Sequence, residues 1–400
     1  MGYMLAAILI SFTCALLFVW QANNGATWGH DTDFNAPQKV HHRSVPRLGG
    51  VGIFVAMAAC AVAARFLDHP HSRELTLLVV CSLPAVAFGL AEDVTGRISS
   101  KQRLVAAAFS AGLGVFALGA VITRVDIAPL DFLLGWSLVS IPLTIFAVSG
   151  ISNSVNIIDG FNGLASMTCV MMFAAIAYVA HSVGDQFILL AALCCIGAVL
   201  GFFVWNYPLG MIFLGDGGAY LLGFMLAELA VLLFQRNPSV SPWFGVLVFL
   251  YPTVETVFSI YRRRVLKGRP MGLPDGVHLH SLIYRRFVRV DADRESEVAL
   301  TLRNSLTAPY LWVLCGLSVG LAYLAWHSTP WLGTGVVAFG VLIVRLHVWI
   351  PGMPKAFIAL GWLFLAIILV LAVFFGGLAL GARWAGRRSV KARQIGRAHV

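Results

Sequence analysis

The stretch Asn153-Ser154-Val155-Asn156-Ile157-Ile158-Asp159-Gly160-Phe161-Asn162-Gly163 interrupts a run of residues that otherwise reads as membrane span. Residues 136–150 before it and 164–180 after it are predominantly apolar. Amides and a carboxylate so close to the hydrocarbon are costly, because lipid offers them no hydrogen-bond partner. Polar residues at such a depth therefore indicate a functional site by default.

A tight turn between two helices is the simpler interpretation of this stretch. It accounts for the two glycines and for Asn162, since both residue types adopt the positive φ angles of turns. It does not account for Asn153, Asn156 and Asp159, whose spacing of three residues places them roughly along one helix face. The spacing favours a functional site.

The composition excludes a soluble globular protein. Hydrophobic residues make up 59% of the chain and charged residues 12%, and the mean hydropathy is +0.84. These values predict an all-α polytopic membrane protein. The seven cysteines all lie in apolar stretches without a CxxC pair, which favours free thiols over disulfides or zinc. In such a protein the net charge of +10 reports orientation and does not predict binding of nucleic acid.

The number of membrane crossings follows from the apolar stretches. The first of them lacks a basic leader and a cleavage site, so we read it as a span and not as a signal peptide. The last two fit least well, and we predict about 11 transmembrane helices, within the range 10–12. By the ~20-residue criterion the candidates lie near 2–20, 48–66, 75–91, 104–122, 136–155, 163–181, 187–205, 217–235, 242–261, 308–326, 331–350 and 356–380.

The distribution of Lys and Arg predicts the orientation in the membrane. Loops that follow odd-numbered spans carry most of these residues, whereas the other loops hold little beyond Arg73, Arg124 and Arg236. The positive-inside rule then places the odd-numbered side in the cytoplasm and the N-terminus in the periplasm.

We predict one integral membrane domain over residues 1–380, followed by a basic tail, 381–400. A twelfth span would place the arginines of this tail on the outer side, against the rule that orients the rest. The last six residues, Ile-Gly-Arg-Ala-His-Val, resemble the translated read-through of a sequencing adapter. We therefore expect the tail to be partly artefactual and assign it no function.

Acidic residues collect at one predicted face of the membrane. Glu92 and Asp93 end the third span, Asp159 follows the fifth and Asp216 follows the seventh, while the basic loop 262–286 follows the ninth. Each carboxylate alone would be read as a helix-end residue held by a cap or an ion pair. Their convergence on the side that is richest in Lys and Arg predicts a shared site.

Clustered carboxylates repel one another unless a cation or a proton relieves them. Oxygen ligands without a Cys or His grouping select Mg²⁺, with Mn²⁺ as the alternative. Magnesium that is held by one or two carboxylates completes its shell with water and substrate phosphates. Nearby Lys, Arg and His can bind the remaining phosphate charge. The cluster thus predicts an attack on a diphosphate at the membrane surface.

Five motifs occur in a characteristic order along residues 33–290. They are Lys39-Val40-His41 with Pro46–Gly50, Glu92-Asp93, Asn153–Ala165, Phe213-Leu214-Gly215-Asp216, and a last loop that runs from Glu255 through Gly268-Arg269-Pro270 to His278-Leu279-His280. Together they resemble the polyprenyl-phosphate N-acetylhexosamine-1-phosphate transferase family (glycosyltransferase family 4). The branch resembled is the O-antigen-initiating one, which is related to the phospho-N-acetylmuramoyl-pentapeptide transferase. Glu92 and Asn162 stand where that family has Asp.

The resemblance implies an enzyme and its substrates. It implies transfer of an N-acetylhexosamine-1-phosphate from a UDP-N-acetylhexosamine to undecaprenyl phosphate, which releases UMP and begins a cell-surface polysaccharide such as the O-antigen of lipopolysaccharide. It also implies a multi-pass protein of the bacterial inner membrane whose active site faces the cytoplasm, in contact with the lipid bilayer. The oligomeric state stays open, with a homodimer among the alternatives.

The resemblance also implies roles for individual residues. Asp216 is expected to bind Mg²⁺ with Asp159 beside it, and Asp93 with Glu92 to deprotonate or orient the lipid phosphate. Asp159 is counted with these two as catalytic, and a covalent aspartyl-phosphate is the alternative route. Substrate binding is expected from Lys39, His41, Asn153, Asn156, Asn162, Arg269, His278 and His280.

Two other classes of function compete with this one. Loss of the acid at Asn162 is compatible with an inactive relative that binds lipid phosphate or nucleotide, although altered sugar recognition explains the change as well. A cation-coupled transporter would explain the many spans, but the acids line one face and no internal repeat is visible. Glu228, in mid-span, is expected to make a structural hydrogen bond, and Glu255 to orient the basic loop.

Overall fold

The computed structural model describes residues 1–25, 29–31, 45–266, 277–288 and 297–352. In this part of the chain the only sheet is an antiparallel pair of two-residue strands, β1 (His30–Asp31) and β2 (Val45–Pro46). The predicted all-α class is thus confirmed. The helices are α1 Gly2–Asn23, α2 Gly49–Phe66, α3 Ser72–Thr95, α4 Ser100–Leu118, α5 Ala128–Leu134, α6 Ser137–Ile158, α7 Leu164–Val183, α8 Gln186–Asn206, α9 Gly215–Arg236, α10 Trp243–Val248, α11 Leu250–Tyr261, α12 Leu279–Arg286, α13 Glu297–Ser305, α14 Ala308–Ala325 and α15 Thr329–Gly352.

The membrane-spanning character of the protein follows from these helices. Over the described ranges, nine helical segments are long and apolar enough to cross a membrane: α1, α2, α3, α6, α7, α8, α9, the α13–α14 segment from Val298, and α15. The protein is therefore a multi-pass membrane protein. The predicted span 356–380 and the tail 381–400 lie outside the described residues, so the total count stays a prediction, as does the orientation.

Two further predicted spans, 104–122 and 242–261, also run between the two faces, although neither meets the criterion of helix length and apolar character. Helix α4 begins beside Asp216, which pairs with Arg103, and beyond its end the N–H of Val121 donates to the side chain of Gln235 (3.4 Å) at the far end of α9. It is therefore parallel to α9. The second span, 242–261, is divided into two helices: α10 ends just before Phe249 and α11 begins just after it.

Helix α9 lies at the centre of the bundle. Every residue from Gly215 to Phe234 is buried, and α2, α3, α4 and α6 all pack against it. The backbones approach closely at its N-terminus: a Cβ on Gly50 would collide with the backbone of Gly218, and one on Gly89 would lie 2.5 Å from Cα of Gly217. Only glycine permits such contacts between backbones. Its first turn is thus held by neighbours on two sides.

At the face opposite the acidic cluster, the few arginines that the sequence places there connect the ends of neighbouring helices. The Arg124 guanidinium donates to Asp126 (2.6 Å) and to the carbonyl oxygen of Val240 (2.6 Å). Arg236 pairs with Asp185 (3.1 Å) in the same way. These contacts tie the ends of α4, α9 and α7 together, so these arginines have a structural role.

The environment of Glu228 differs from our expectation. The side chain is fully buried in the middle of α9, and neither carboxyl oxygen has a hydrogen-bond partner in the described part of the chain. The expected structural hydrogen bond is therefore wrong. The carboxyl occupies the space that Gly114 of α4 leaves, because a Cβ there would collide with it.

Replacing Glu228 with Leu is expected to stabilise the protein. A buried polar group without a partner costs about 1–3 kcal/mol, which an apolar side chain of similar size avoids. Thermal unfolding in detergent should show a higher midpoint for Glu228→Leu than for the parent. Glu228→Gln is the matched control, since it keeps the volume and the unpaired polar atoms and should gain little. A lower midpoint for the Leu variant would show that the acid has a partner.

Candidate active site

The site is built around the N-terminus of α9, where two of the sequence motifs bind each other. The N–H of Phe213 donates to the carbonyl oxygen of Pro46 (2.9 Å), and the N–H of Gly50 donates to that of Leu214 (2.9 Å). The segment that leads into Asp216 is therefore held by the start of α2. Motifs about 165 residues apart thus form one structural element.

Asp93, at the end of α3, caps the first turn of α9. Its two carboxylate oxygens accept the backbone N–H groups of Asp216 (2.8 Å) and Gly217 (2.9 Å). The first N–H groups of a helix have no partner within the helix, so this carboxylate satisfies two of them. The Asp93 side chain is only 1% exposed. Asp93 consequently fixes the position of Asp216.

Two arginines neutralise these carboxylates. Arg47 Nε lies 3.5 Å from Asp93 Oδ1, and its Nη2 lies 3.7 Å from Asp216 Oδ1. Arg103 pairs with the other oxygen of Asp216. The Arg47 side chain is 29% exposed while that of Arg103 is 11% exposed. Arg47 is therefore the more accessible of the two charges to a phosphate group arriving from solvent.

Asn153 joins the same network through α9. It accepts a hydrogen bond from the hydroxyl of Tyr220 (3.0 Å), and the Arg103 guanidinium lies 6.0 Å from the centre of that tyrosine ring. Asn156, almost one helical turn further along α6, is half-buried. The two asparagines thus lie on the helix that leads to Asp159, with Asn153 linked to the arginine that binds Asp216.

Asp159 directly follows α6 and supplies the third carboxyl. It is half-buried, and among the described residues its carboxyl makes no hydrogen bond or ion pair. Burial raises its pKa to about 7, and the positive charge of Arg47 opposes this shift. Arg47 is thus within electrostatic reach of all three carboxyls of the site. A cation at Asp159 would favour its ionised form.

The two histidines approach the same loop from α12. The His280 ring lies 5.3 Å from that of Phe161, and a Cβ on Gly160 would lie 3.1 Å from its Nε2 atom. His278 stacks on it, with 5.2 Å between ring centres. Burial, and then the neighbouring His278, lower the pKa of His280 to about 3. His280 is therefore neutral and can offer a phosphate a hydrogen bond but no charge.

The remaining predicted residues do not join this network in the described structure. The Glu92 carboxylate accepts the N–H of Ile98 (2.6 Å) and so closes the loop after α3. Lys39, His41 and Arg269 lie outside the described residues. Their predicted roles, and that of Glu92 at the lipid phosphate, stay predictions.

The comparison with known proteins identifies the family of this chain. The sequence model of glycosyl transferase family 4 matches residues 75–234, which contain all three carboxyls. A phospho-N-acetylmuramoyl-pentapeptide-transferase of Bacillus thuringiensis (strain Al Hakam) is 30% identical over 243 residues, which cover 58% of this chain and 74% of that protein. The chain belongs to glycosyl transferase family 4.

Two relatives in family 4 have names that describe another sugar. One is a probable undecaprenyl-phosphate N-acetylglucosaminyl 1-phosphate transferase of Bacillus subtilis (strain 168), 30% identical over 249 residues. The match covers 61% of this chain and 66% of that protein. The other is an undecaprenyl-phosphate alpha-N-acetylglucosaminyl 1-phosphate transferase of Salmonella typhi, 27% identical over 314 residues, 76% of this chain and 82% of the relative.

The residues of this family 4 site fit the Mg²⁺ that its chemistry implies. Carboxylate oxygens are the donors that this ion prefers, and Asp159 offers one that no protein group in the described ranges occupies. In the described ranges no three acidic, histidine or cysteine side chains form a ready-made cage. Magnesium does not need one, since it is usually bound by one or two carboxylates together with water and phosphates. Asp216 and Asp159 are the residues that would hold it.

Two functional candidates become visible only in the structure. The sequence shows Arg47 as one residue of the Pro46–Gly50 motif and Arg103 as one of the loop charges, without a site role for either, whereas both pair with Asp216. A signal was available for Arg47, because it stands inside a motif that precedes two glycines. None was available for Arg103, whose partner lies 113 residues further along the chain.

Asn162 is tied to a different part of the protein from the carboxyl cluster. Its backbone N–H donates to the side chain of Asn304 (2.9 Å), and its side-chain amide donates to the hydroxyl of Ser305 (3.1 Å). The residue is 5% exposed. In this placement the amide fastens the loop after α6 to the end of α13, and its predicted contact with substrate stays a prediction.

Restoring the family's acid by Asn162→Asp is expected to change transfer by less than about tenfold, or about 1.4 kcal/mol in the barrier. The position is held by Asn304 and Ser305, so a carboxylate there adds charge without moving the site. Transfer rates of the two proteins, measured side by side, check this. Ser305→Ala, which removes the partner instead, is the control. An inert parent that Asn162→Asp rescues would show that the protein is an inactive relative.

Proposed function

We propose that this protein transfers an N-acetylhexosamine-1-phosphate from a UDP-N-acetylhexosamine to undecaprenyl phosphate, with release of UMP. The observation that carries the proposal is the cluster at the start of α9, in which Asp93 and Asp216 both pair with Arg47, whose positive charge also acts on Asp159. Anionic and cationic groups alternate there at one face of a membrane protein. Such a site suits a reaction between two phosphate compounds, one of them in the lipid.

The reaction needs little acid–base chemistry. A phosphate monoester has a second pKa of about 6, so at neutral pH most of the lipid phosphate is already the nucleophile. One of its oxygens attacks the β-phosphorus of the nucleotide sugar, the bond from that phosphorus to the oxygen that bridges to the α-phosphorus breaks, and UMP leaves with the bridging oxygen. Catalysis then consists mainly of positioning and of charge stabilisation.

The chain's own residues divide this work. Arg47, the more exposed arginine, would bind a phosphate group and orient it, while Arg103 and Asp93 hold Asp216 in place. Asn153 and Asn156 would offer amide hydrogen bonds along the substrate. When Mg²⁺ is bound by Asp216 and Asp159, it supplies neutralisation of the charge on the diphosphate.

We further propose UDP-N-acetylglucosamine as the donor, because the names of two relatives specify that sugar. The site would face the cytoplasm of a bacterium from its inner membrane, where nucleotide sugars are available. The Lys and Arg content of the loops on this side supports that orientation. The product would begin a cell-surface polysaccharide of the O-antigen type.

The test is a transfer assay with purified protein in detergent, undecaprenyl phosphate, Mg²⁺ and a radiolabelled UDP-N-acetylhexosamine. Label should enter the lipid only when all components are present, and EDTA should abolish the transfer until Mg²⁺ is added back. Running UDP-N-acetylglucosamine beside UDP-N-acetylgalactosamine identifies the sugar. Failure with every such donor would overturn the proposed function and leave a binding protein or a transporter.

A further inference from the structure

A buried histidine–carboxylate cluster lies behind the histidine pair of the site. Glu255, near the end of α11, is 1% exposed. Its carboxylate lies 3.3 Å from Nδ1 of His278, 3.3 Å from the backbone nitrogen of Leu279 and 3.2 Å from Nε2 of His347. His347 belongs to α15, and its side chain is 1% exposed. One carboxylate therefore joins α15 to the start of α12.

Both ring nitrogens of His347 face a hydrogen-bonding group. Nδ1 lies 2.9 Å from the carbonyl oxygen of Ile343, which can only accept, so Nδ1 carries a hydrogen. Nε2 lies 3.2 Å from the carboxyl of Glu255. The ring is therefore held at both nitrogens, and the buried carboxyl of Glu255 has a polar partner on α15.

The same cluster orients His278. Its Nδ1 donates to Glu255, so Nε2 is the nitrogen left for other partners. The ring stacks at 17° on His280, which contacts the loop of Gly160 and Phe161 directly after Asp159. A displacement of Glu255 would therefore move both histidines relative to Asp159.

We propose that His347 is a positioning residue for this site: it holds Glu255 in place, and through Glu255 it sets the orientation of the His278–His280 pair. The inference rests on the proposed function, because its consequence is a change in sugar-phosphate transfer. His347 lies far outside the matched family region, 75–234, and in the described structure it does not contact the three carboxyls. Among the described residues, Glu255 is the one that bonds to both His347 and the start of α12.

A purely structural role for His347 is the competing explanation. In that case its loss would lower stability, and any effect on the rate would be independent of His278. A positioning role predicts instead that the effects of His347 and His278 are coupled, since one acts through the other. A double-mutant cycle on the transfer rate separates the two.

The experiment compares the parent, His347→Leu, His278→Ala and the double variant, with kcat and KM for UDP-N-acetylglucosamine and thermal unfolding measured on each. His347→Leu should lower kcat/KM by about 10–100-fold, the range found when supporting partners of site histidines are removed. The transfer rate of the double variant should lie within about twofold of that of His278→Ala. His347→Gln, whose amide can still donate to Glu255, should recover most of the loss.

Ile343→Ala is the matched control for damage to α15. Ile343 is also buried, and its truncation leaves a cavity while its backbone carbonyl stays. It should lower the unfolding midpoint without the loss of kcat/KM.

Additive losses in the cycle, or an equal loss of rate in Ile343→Ala, would overturn the positioning role. If His347→Leu does not fold, the test depends on His347→Gln. A transfer rate of that variant at or below about one hundredth of the parent rate would overturn the positioning role. A parent that transfers nothing overturns the proposed function instead.

Discussion

Asp216→Asn is expected to lower sugar-phosphate transfer by about 10²–10³-fold, the range observed when one preorganised electrostatic group is removed from an active site. The substitution keeps the volume and removes the charge that would hold Mg²⁺ and that pairs with Arg47 and Arg103. Folding should persist, because Asp93 binds the backbone of residue 216 and not its side chain. The measurements are the transfer rate over a range of Mg²⁺ concentrations and the unfolding midpoint.

Asp185→Asn offers a matched control on the opposite face. Asp185 is 9% exposed and Asp216 is 8% exposed, and each stands at the start of a helix and pairs with an arginine. Asn still caps a helix, so the control should fold and transfer normally. Near-normal activity of Asp216→Asn at limiting Mg²⁺ would rule out its assignment as a metal ligand.

Asp93→Asn is expected to reduce both transfer and stability. An amide has one accepting oxygen, so only one of the N–H groups of Asp216 and Gly217 would keep its acceptor, and the other would face an NH₂ group. A buried donor left unsatisfied costs about 1–3 kcal/mol. The first turn of α9 should shift, and with it Asp216, so transfer should fall by about 10–100-fold, since small misplacements of reacting groups have effects of that size.

Asp131→Asn serves as the control for this prediction. Asp131 also accepts a backbone N–H, that of Val125 at 2.6 Å, but on the opposite face. It should lose some stability and no activity. If Asp93→Asn lowers the rate while the unfolding midpoint and the Mg²⁺ dependence stay unchanged, Asp93 acts on the lipid phosphate, as the sequence analysis expected, and not through Asp216.

The sequence predicts the fold class and the convergence of the motifs because both depend on local patterns. Apolar length determines where a helix can span, and alternation then assigns the ends of odd-numbered spans to one face. The placement of Asp216 beside Asp93, and of His280 beside Gly160, agrees with that alternation. The division of span 242–261 at Phe249 has a local signal in Pro252, which stands in the first turn of α11. A proline ring clashes with the helical carbonyl four residues earlier, here that of Val248, where α10 ends.

The pairing of charges could not be predicted in the same way. Arg103 and Asp216, like Glu255 and His347, are distant along the chain, and many alternative pairings satisfy the same charge balance. Burial at Glu228 is equally invisible, because the sequence shows that an acid lies within a span but not whether a neighbour reaches it. These details depend on side-chain packing between helices, which no local pattern encodes.

The measurement that tests the central claim most directly follows the β-phosphorus of the nucleotide sugar. Purified protein is supplied with undecaprenyl phosphate, Mg²⁺ and UDP-N-acetylglucosamine that carries ³²P only at the β position, and lipid and aqueous products are separated. We predict that the label moves into the lipid fraction together with the sugar, that the released UMP is unlabelled, and that Asp216→Asn prevents this. Label that remains in the aqueous phase as UDP while the sugar enters the lipid, or full transfer by Asp216→Asn, would contradict the account.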